Sequence, residues 1–275
     1  MLINLEKVNV VISNFEKAID KPLKVKGKKL YTGIDLGTAY IVLAVFDEDR
    51  NPVAGAYQFA EVVRDGMVVD YVGACDIVRK LKSELEEKLG VELLEAGCAI
   101  PPGTENLDGG AVKNVAESAG FEVLRVLDEP SAANKLLKLS DGAVVDIGGG
   151  TTGISIIENG KVKKSIDEPT GGTHFSLVLS GAYKIDFKNA ENLKKDFSKH
   201  GEIFPVVRPV IDKIISIIKT ASVGEDLKEV VLVGGTALLT GMEDYVEQKL
   251  GIKTTKPSNP MFVTPIGIAL SLIEE

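Results

Sequence analysis

A chain of 275 residues, of which 44% are hydrophobic and 26% are charged, has the length of two compact domains and the composition of an ordinary globular protein. Its formal net charge of −8 gives no general attraction to a nucleic-acid backbone or to an anionic membrane, so neither is expected as a partner. The longest apolar runs reach about half of a membrane crossing, so no membrane insertion is expected. The N-terminus has no secretory pattern, which predicts a cytoplasmic protein. Cys75 and Cys98 lack the close spacing of a metal site and are expected to be reduced thiols.

The first part of the chain predicts one helix followed by a mixed α/β unit. Apolar residues recur at three- and four-residue steps over residues 3–20, which predicts an amphipathic helix that ends before Pro22. Three apolar runs then predict a three-stranded meander: YTGIDL, AYIVLAVFD and PVAGAYQF. The order continues with a helix at 76–89, a strand EAGCAI, a helix that begins at PPGT and ends near Gly120, a strand FEVLRVLD and a helix EPSAANKLLKL.

From Asp141 onward the pattern starts again. Three strand-like runs are GAVVDI, TGISIIEN and KVKKSID, and the dipeptide Asn159-Gly160 predicts a tight hairpin between the last two. Residues 171–221 are predicted to be mostly helical. The remaining elements are a strand EVVLVG, a helix at 239–250, a short strand IKTTKP and a final helix from residue 262.

This repetition predicts two similar domains that face each other across a cleft. Residues 1–29 form an N-terminal helical extension, residues 30–139 the first domain and residues 140–275 the second. The final helix, residues 262–273, is expected to pack back toward the first domain. Each domain has one Gly-rich turn that ends a predicted strand with Asp-aliphatic-Gly. These turns are GIDLGT at 33–38 and VDIGGGT at 145–151.

The two glycine-rich turns predict a site for phosphates. Glycine allows successive backbone N–H groups to point into one concavity, and such concavities bind anions. A carboxylate in the same turn would repel phosphate unless a cation lay between them. One Asp from each turn, Asp35 and Asp146, therefore predicts a Mg²⁺ ion that bridges the phosphates of a nucleotide.

Alternative roles for the glycines fit the sequence less well. Gly148, Gly150 and Gly153 satisfy the dinucleotide fingerprint G-x-G-x-x-G, but that fingerprint requires a helix directly after the turn, and here a strand is predicted. A Walker A loop does not occur in the sequence. The glycines could also serve only to shape tight hairpins, although their paired occurrence favours a binding role.

Five motifs in order resemble those of the actin and DnaK-type chaperone ATPase superfamily. They are GIDLGTAY and VVDIGGGTTGISI as the two phosphate loops, DEPSAAN and VTPIGIALSL as the two connecting helices, and VVLVGGTALLTGM as the adenosine loop. The resemblance covers nearly the whole chain after about residue 30. It implies an α/β, actin-like ATPase fold of two ribonuclease-H-like domains, with ATP or ADP and Mg²⁺ held in the nucleotide cleft between them.

The resemblance also implies roles for individual residues. Those expected at the phosphates are Asp35, Gly37 and Thr38 in the first turn, Asp146, Gly148, Gly149, Gly150 and Thr151 in the second, and Gly171, Gly172 and Thr173 at a helix start. Those expected at the base and ribose are Glu191, Lys194, Gly234, Gly235 and Thr236, with Lys195 as a further candidate. Asp35 and Asp146 would hold Mg²⁺, and Glu129 would act with Asp146 in catalysis by orienting the attacking water.

Two positions depart from the superfamily pattern. Gly153 stands where DnaK-type chaperones have a second Asp, and Leu238 stands where they have an Arg that stacks on adenine. The phosphate-contacting lysine has no identifiable counterpart. The sequence therefore predicts a weak Mg-dependent ATPase at most. Of the two histidines, His174 is expected to pack or to form hydrogen bonds and His200 to lie on the surface.

Within the superfamily, the short length, the N-terminal helix, AIPPGT and DEPSAAN most resemble the ethanolamine-utilization members. The resemblance implies an ATP-binding, chaperone-like protein that assists enzymes or shell assembly, with a protein client and an association with a bacterial microcompartment. Small residues in the connecting helices, Ala132, Ala133, Gly267 and Ala269, would permit a nucleotide-driven closure of the two domains.

Several functions share this fold, so the fold alone does not decide. A sugar kinase needs added subdomains for which 275 residues leave little room. A dehydratase activator needs cysteine ligands for an iron–sulfur cluster, and Cys75 and Cys98 both precede the second phosphate loop, where such ligands are not expected. A non-enzymatic nucleotide-binding scaffold or filament-type protein stays open as the alternative.

Overall fold

A computed structural model describes residues 3–25, 27–64, 67–102 and 109–273. The predicted helix start at PPGT lies partly outside this range, because Gly103 and Thr104 are not among the described residues. Elements in the first half are α1 (Leu5–Asp20), β1 (Leu30–Leu36), β2 (Tyr40–Asp47), β3 (Pro52–Phe59), β4 (Val63–Arg64), β5 (Met67–Val68), α2 (Tyr71–Leu89), β6 (Glu95–Ile100), α3 (Gly109–Ser118), β7 (Glu122–Asp128) and α4 (Glu129–Leu137).

The second half follows a similar order of elements, with three helices between its meander and its fourth strand. Its elements are β8 (Gly142–Ile147), β9 (Thr152–Glu158), β10 (Lys161–Glu168), α5 (Gly172–Tyr183), α6 (Phe187–Lys195), α7 (His200–Ala221), β11 (Val230–Val233), α8 (Met242–Leu250), β12 (Thr254–Thr255) and α9 (Val263–Ser271). Short 3-10 segments are Phe197–Lys199, Gly235–Leu238 and Pro260–Phe262.

The two five-stranded sheets have the same topology. The strand order is β3-β2-β1-β6-β7 in the first and β10-β9-β8-β11-β12 in the second. In each, an antiparallel meander provides three strands, and two further strands add in parallel beside the first strand of the meander. The repetition expected from the sequence is therefore present in the backbone, while the domain boundaries at 29/30 and 139/140 stay a prediction.

Helices α4 and α9 cross at very close range. A Cβ placed on Gly267 would lie 1.9 Å from the carbonyl oxygen of Ala132, so this crossing requires glycine. Helix α9 also lies directly on β1, where a Cβ on Gly33 would lie 2.2 Å from the carbonyl oxygen of Pro265. The final helix thus contacts the first sheet as well as α4, at the junction of the two halves.

Helix α1 packs on the first sheet and also contacts the second half. Phe15 is fully buried against Gly55 of β3, where any side chain would collide with the ring. From the same helix, Glu16 Oε1 accepts a hydrogen bond from Asn259 Nδ2 at 2.8 Å. The backbone N–H of Ile3 donates to Glu229 Oε1 at 2.6 Å. The N-terminal helix therefore joins both halves of the molecule.

Local turn signals are present where the sequence places them. Gly90 ends α2 with a φ of +71°, and Asn159 and Gly160 have φ values of +53° and +76°, as a type I′ hairpin requires. The predicted strand at 252–257 is only two residues long, and α8 begins at Met242 because a 3-10 segment occupies the preceding turn. Within the described ranges, no helix has the combined length and apolarity that a membrane crossing requires.

Candidate functional site

A cavity of about 330 Å³ opens between the two sheets. Its walls come from the β1–β2 turn, the β8–β9 turn, the start of α4, one face of α6 and the loop after β11. Because β1 and β8 are equivalent strands of the two sheets, the two halves present the same kind of turn to one space. This is the position at which the sequence predicts a nucleotide.

The first predicted phosphate turn lines the cavity with Asp35, Gly37 and Thr38. The turn is tight, since a Cβ on Gly37 would lie 2.9 Å from the carbonyl oxygen of Tyr40. Glycine is therefore required to bring the chain from β1 back into β2 with its backbone facing the cavity.

The second predicted turn lines the opposite wall with Asp146, Gly148, Gly149 and Thr151. Its shape is fixed by a hydrogen bond from the Gly148 N–H to the carbonyl oxygen of Thr151, at 3.0 Å. A Cβ on Gly149 would lie 3.2 Å from the Cβ of Ala39, so the two turns approach one another. Gly150 belongs to the turn but is not among the described residues that line the cavity.

The helix start at Gly171, Gly172 and Thr173 lies behind the second turn instead of on the cavity wall. The Gly172 N–H donates to the Gly148 carbonyl at 3.0 Å, and the Thr173 N–H donates to the Gly149 carbonyl at 2.7 Å. These amides are already paired with the turn, so the arrangement does not leave them free for phosphate as the sequence predicts. We infer that the start of α5 holds the glycine turn in place.

Three carboxyl groups gather at the phosphate end of the cavity: Asp35, Glu129 and Asp146. Burial and then the charge of Asp146 raise the pKa of Asp35 to about 7. Burial raises the pKa of Asp146 to about 6, although a hydrogen bond from Thr264 Oγ1 at 3.2 Å opposes the shift. Burial, Asp146 and Asp35 raise the pKa of Glu129 well above its usual range. This concentration of negative charge favours a cation.

Asp167 is a further carboxylate that sequence reasoning missed. It lies on β10 directly opposite Gly153 of β9, and its Oδ1 is 3.7 Å from where a Cβ on Gly153 would be. Its charge contributes to the raised pKa of both Asp146 and Glu129. A carboxylate is therefore present beside the position where the expected second Asp is replaced by glycine. The hairpin register, which pairs residues 153 and 167, was the signal that could have found it.

The donor set suits a weakly coordinated, hydrated ion. Across the described ranges, no three or more His, Cys, Asp or Glu side chains are arranged to enclose a metal ion on their own. Asp35 and Asp146 are instead half-buried carboxyl groups whose mutual repulsion a nearby cation would relieve. Mg²⁺ commonly keeps most of its waters and binds through one or two carboxylates and the phosphates of a substrate, so these residues fit Mg²⁺ in that form.

The cavity is also lined by the residues predicted for the nucleoside: Glu191, Lys194, Gly234, Gly235 and Thr236. Thr236 Oγ1 donates to the Gly148 carbonyl at 2.7 Å, which ties this loop to the phosphate turn. Gly234 has a φ of +87°, a value suited to glycine. All five predicted residues therefore line the cavity, from α6 and from the loop after β11.

Glu191 and Lys194 form a largely buried ion pair on α6. Lys194 Nζ also donates to the Gly172 carbonyl at 3.0 Å, and Ser176 Oγ donates to Glu191 Oε1 at 2.5 Å. Burial lowers the pKa of Lys194. At Glu191, burial acts to raise the pKa, but the charge of Lys194 and the hydrogen bonds from Lys194 and Ser176 outweigh it, so the pKa of Glu191 is lowered. In the described lining, the lysines are Lys194 and Lys195, both on α6, and both pair with Glu191.

The expectation that His200 is a surface residue is wrong. His200 is 3% exposed and lines the cavity near Leu238 and Leu239. Its Nδ1 accepts a hydrogen bond from the Thr240 N–H at 3.0 Å, so Nε2 carries the proton and donates to the Lys194 carbonyl at 3.1 Å. Burial lowers the pKa of His200. A neutral imidazole thus fixes the end of α6 against the adenosine loop.

His174 agrees with the expected hydrogen-bonding role. The Gly171 N–H donates to His174 Nδ1 at 3.3 Å, which caps the start of α5. This ring therefore supports the backbone behind the second glycine turn, and it is not among the described residues of the cavity wall.

Comparisons with protein families identify relatives for most of the chain. The family model of MreB/Mbl proteins matches residues 42–188, and that of the cell division protein FtsA matches residues 143–267. The ethanolamine utilization protein EutJ of Salmonella typhimurium is 41% identical over 268 residues, 97% of this chain and 92% of the relative. EutJ of Escherichia coli K12 is 43% identical over 244 residues, 88% and 86% of the two chains. The chaperone protein DnaK of Mycoplasmopsis synoviae is 27% identical over 257 residues, which cover 70% of this chain and 43% of the relative.

Solved structures agree with these relatives. The crystal structure of EutJ from Carboxydothermus hydrogenoformans matches with a TM-score of 0.92 and 49% identity, over 97% of this chain and 99% of that one. The structure of MreB5 of Spiroplasma citri bound to ADP matches with a TM-score of 0.71 and 19% identity, over 87% and 94% of the two chains. At that identity the second match shows the fold alone.

Proposed function

Because the chain belongs to the EutJ family of ethanolamine utilization proteins, within the superfamily of actin-like and DnaK-type ATPases, we propose that it is an ATP-binding, chaperone-like protein of ethanolamine utilization. The superfamily and the actin-like α/β fold predicted from the five motifs are confirmed. The finer role, assistance to enzymes or to shell assembly at a bacterial microcompartment, is part of the proposal.

The observation that carries nucleotide binding is the pairing of two glycine turns around one cavity. Each turn comes from an equivalent hairpin, each supplies a half-buried carboxyl group, and Gly149 of one lies against Ala39 of the other. Phosphates bound to both turns through Mg²⁺ would use backbone amides from both halves. Structures of MreB5 of Spiroplasma citri, a protein of the same fold, contain ADP and AMPPNP.

Closure of the two halves would convert nucleotide binding into a change of shape. The crossing of α4 and α9 at Ala132 and Gly267 has no side chain between the two backbones, which would permit small sliding motions of one helix along the other. A nucleotide that contacts both halves binds the closed state better than the open one, and this difference drives the closure. A client protein would then sense the closed or open surface.

Hydrolysis in this proposal is weak. Glu129, at the first residue of α4, faces the cavity and is placed to orient a water, but burial and the neighbouring Asp146 and Asp35 raise its pKa well above the usual range. A protonated carboxyl group is a poor acceptor for the proton of an attacking water. Slow turnover suits a protein that uses the nucleotide as a switch.

A nucleotide-binding scaffold of the same fold is the second candidate. It is favoured by the lining, because the described lysines, Lys194 and Lys195, both pair with Glu191, which already offsets part of their charge. The match to the family models of MreB/Mbl and FtsA is consistent with it. Nucleotide-triggered, concentration-dependent assembly in light scattering would favour this candidate over the chaperone.

Fluorescence titration with labelled ADP and Mg²⁺ tests the binding site. Asp146→Ala is expected to weaken binding by about tenfold or more, because it removes the buried carboxylate nearest the second turn. Asp226→Ala is the control, since its side chain is 86% exposed and pairs only with the nearby Lys228 among the contacts described for it. Equal affinity in the two variants would remove Asp146 from the site.

The chaperone role has its own test. The purified chain is added to a purified enzyme of the same ethanolamine-utilization system during heating, with ATP, with ADP or with no nucleotide. Aggregation that depends on which nucleotide is present supports the role. Aggregation that is the same in all three conditions contradicts it, and leaves nucleotide binding to be judged by the titration.

A further inference from the structure

The last residue of α6 reaches across the mouth of the cavity to the first half of the molecule. Lys195 Nζ lies 4.4 Å from the ring centre of Phe59 and 5.3 Å from that of Tyr40. Phe59 ends β3 and Tyr40 begins β2, so both rings belong to the first sheet, whereas α6 belongs to the second half. We propose that this cation–π contact is a closing latch over the nucleotide cavity, and that it controls the rate at which nucleotide leaves.

This proposal rests on the proposed nucleotide binding. The latch lies close to the first phosphate turn and to α6. Tyr40 directly follows the first phosphate turn, and Lys195 directly follows Lys194 of the nucleoside wall. Both Tyr40 and Lys195 line the cavity. The contact therefore spans the space between the first phosphate turn and α6.

The aromatic side of the latch is a preformed platform. The rings of Tyr40 and Phe59 are edge to face at 5.6 Å, and those of Tyr40 and Tyr57 at 5.9 Å. Behind them Tyr57 lies 5.8 Å from Phe262, next to α9. The Phe59 side chain is 45% exposed. Its exposed face carries the lysine.

The ammonium group of Lys195 is positioned by an ion pair with Glu191 of the same helix. Lys195 Nζ is 3.6 Å from Glu191 Oε2, while the second oxygen of Glu191 pairs with Lys194. Glu191 therefore connects the two lysines, one turned inward and one turned across the opening. The sequence predicts that Lys195 contacts the nucleotide base, whereas in the structure its ammonium group faces the rings of Phe59 and Tyr40.

Partly exposed cation–π contacts are weak enough to open and close. Losing one typically changes an equilibrium by about three- to tenfold, which suits a latch that must release nucleotide in each cycle. Arg makes the same kind of contact as Lys, so Lys195→Arg is expected to keep the latch, whereas Lys195→Ala and Phe59→Leu are expected to remove it.

The test measures release of labelled ADP by displacement with unlabelled ADP. Lys195→Ala and Phe59→Leu should each speed release by about three- to tenfold, and the double variant should be no faster than either single one. Lys195→Arg should stay near the wild type. Lys199→Ala is the control, because Lys199 pairs with Glu202 and is not among the described residues of the cavity wall. Release from Lys195→Ala at the rate of Lys199→Ala would overturn the proposal.

A readout without nucleotide separates the latch from the proposed function. Spin labels at Glu61→Cys and Lys188→Cys, two exposed positions on opposite sides of the contact, report the distance across the opening. The native Cys75 and Cys98 are buried. The Lys195→Ala substitution should broaden the distance distribution and lengthen its mean. If the wild type binds no nucleotide, the proposed function fails, and an unchanged distribution would then overturn the latch as well.

Discussion

Asp35 and Asp146 lie on equivalent strands of two different sheets and face one cavity, near enough for the charge of Asp146 to raise the pKa of Asp35. Two half-buried like charges that face one another cost folding free energy unless a ligand neutralises them. Their presence on both sides of the same space is the clearest indication that the cavity is built for a cation and the phosphates it accompanies.

Neutralising Asp35 should stabilise the nucleotide-free protein against unfolding and weaken its binding of Mg-nucleotide. Asp35→Asn keeps the size of the side chain and removes a buried charge, so at pH 8 the free energy of unfolding should rise by about 1–3 kcal/mol. Affinity for Mg-nucleotide should fall. Asp226→Asn, on an exposed side chain, serves as the control. Thermal unfolding and titration on the same samples check both parts, and a destabilised Asp35→Asn protein would contradict the cause given for the raised pKa.

Nucleotide binding should depend on pH through the same two groups. Their pKa values, about 7 for Asp35 and about 6 for Asp146, mean that both carry protons below that range and must lose them to face Mg²⁺. Affinity for Mg-nucleotide should therefore rise from pH 5.5 to 8, with release of protons that calorimetry in buffers of different ionisation enthalpy detects.

The stability of the nucleotide-free protein should decrease as the pH rises, in contrast to its affinity for Mg-nucleotide. Because the folded-state pKa values of Asp35 and Asp146 are raised above 3.8, their contribution to stability is fully present below pH 3.8 and is lost as the pH rises through about 6 to 7. The difference in unfolding free energy between the wild type and Asp35→Asn should thus grow with pH. A difference that is constant from pH 5 to 8 would contradict this.

The crossing of α4 and α9 should tolerate no side chain. Gly267→Ala places a Cβ where the backbone oxygen of Ala132 lies 1.9 Å away, so it should destabilise the protein by about 2 kcal/mol or more. Gly181→Ala in α5 is a matched control, because nothing lies within 4 Å of its Cβ position and helix propensity favours Ala by about 1 kcal/mol. Denaturant unfolding measures both, and equal midpoints would show that the helices can separate freely.

His200 should make the protein sensitive to acid. Its pKa is lowered by burial, and its Nδ1 is used as an acceptor for the Thr240 N–H, which protonation abolishes. The contribution of His200 is therefore present above its ordinary pKa of 6.5 and is lost as the pH falls through the lowered value. His200→Gln, which removes the titration, should reduce the loss of stability between pH 7 and 5. The same loss in both proteins would exclude His200 as its cause.

The sequence was most informative where structure is local. The two glycine turns, Gly90 and Asn159-Gly160 are short patterns whose conformations follow from their residues, and the observed strands follow the alternation of apolar positions. Asp35 and Asp146 were located because each stands in a glycine-rich turn at the end of a predicted strand, and Glu129 was located through the motif DEPSAAN. Motif order then supplied the fold.

The sequence was least informative where contacts join distant segments. Asp167 meets Gly153 only through the register of a hairpin, and His200 is buried only because the adenosine loop packs on α6. The amides of Gly172 and Thr173 are paired with the carbonyls of Gly148 and Gly149, in a different element of the chain. None of these contacts has a signature in a single stretch of sequence, since each depends on how two elements pack.

The central claim is that the two halves hold one Mg-nucleotide between them, and calorimetric titration of the wild-type chain with ATP, with and without Mg²⁺, tests it most directly. We expect binding of one ATP per chain that is at least about tenfold tighter with Mg²⁺, because the carboxylates repel an ATP that carries no cation. Absence of binding in both conditions would contradict the claim, and the chain would then be a protein of this fold that works without a nucleotide.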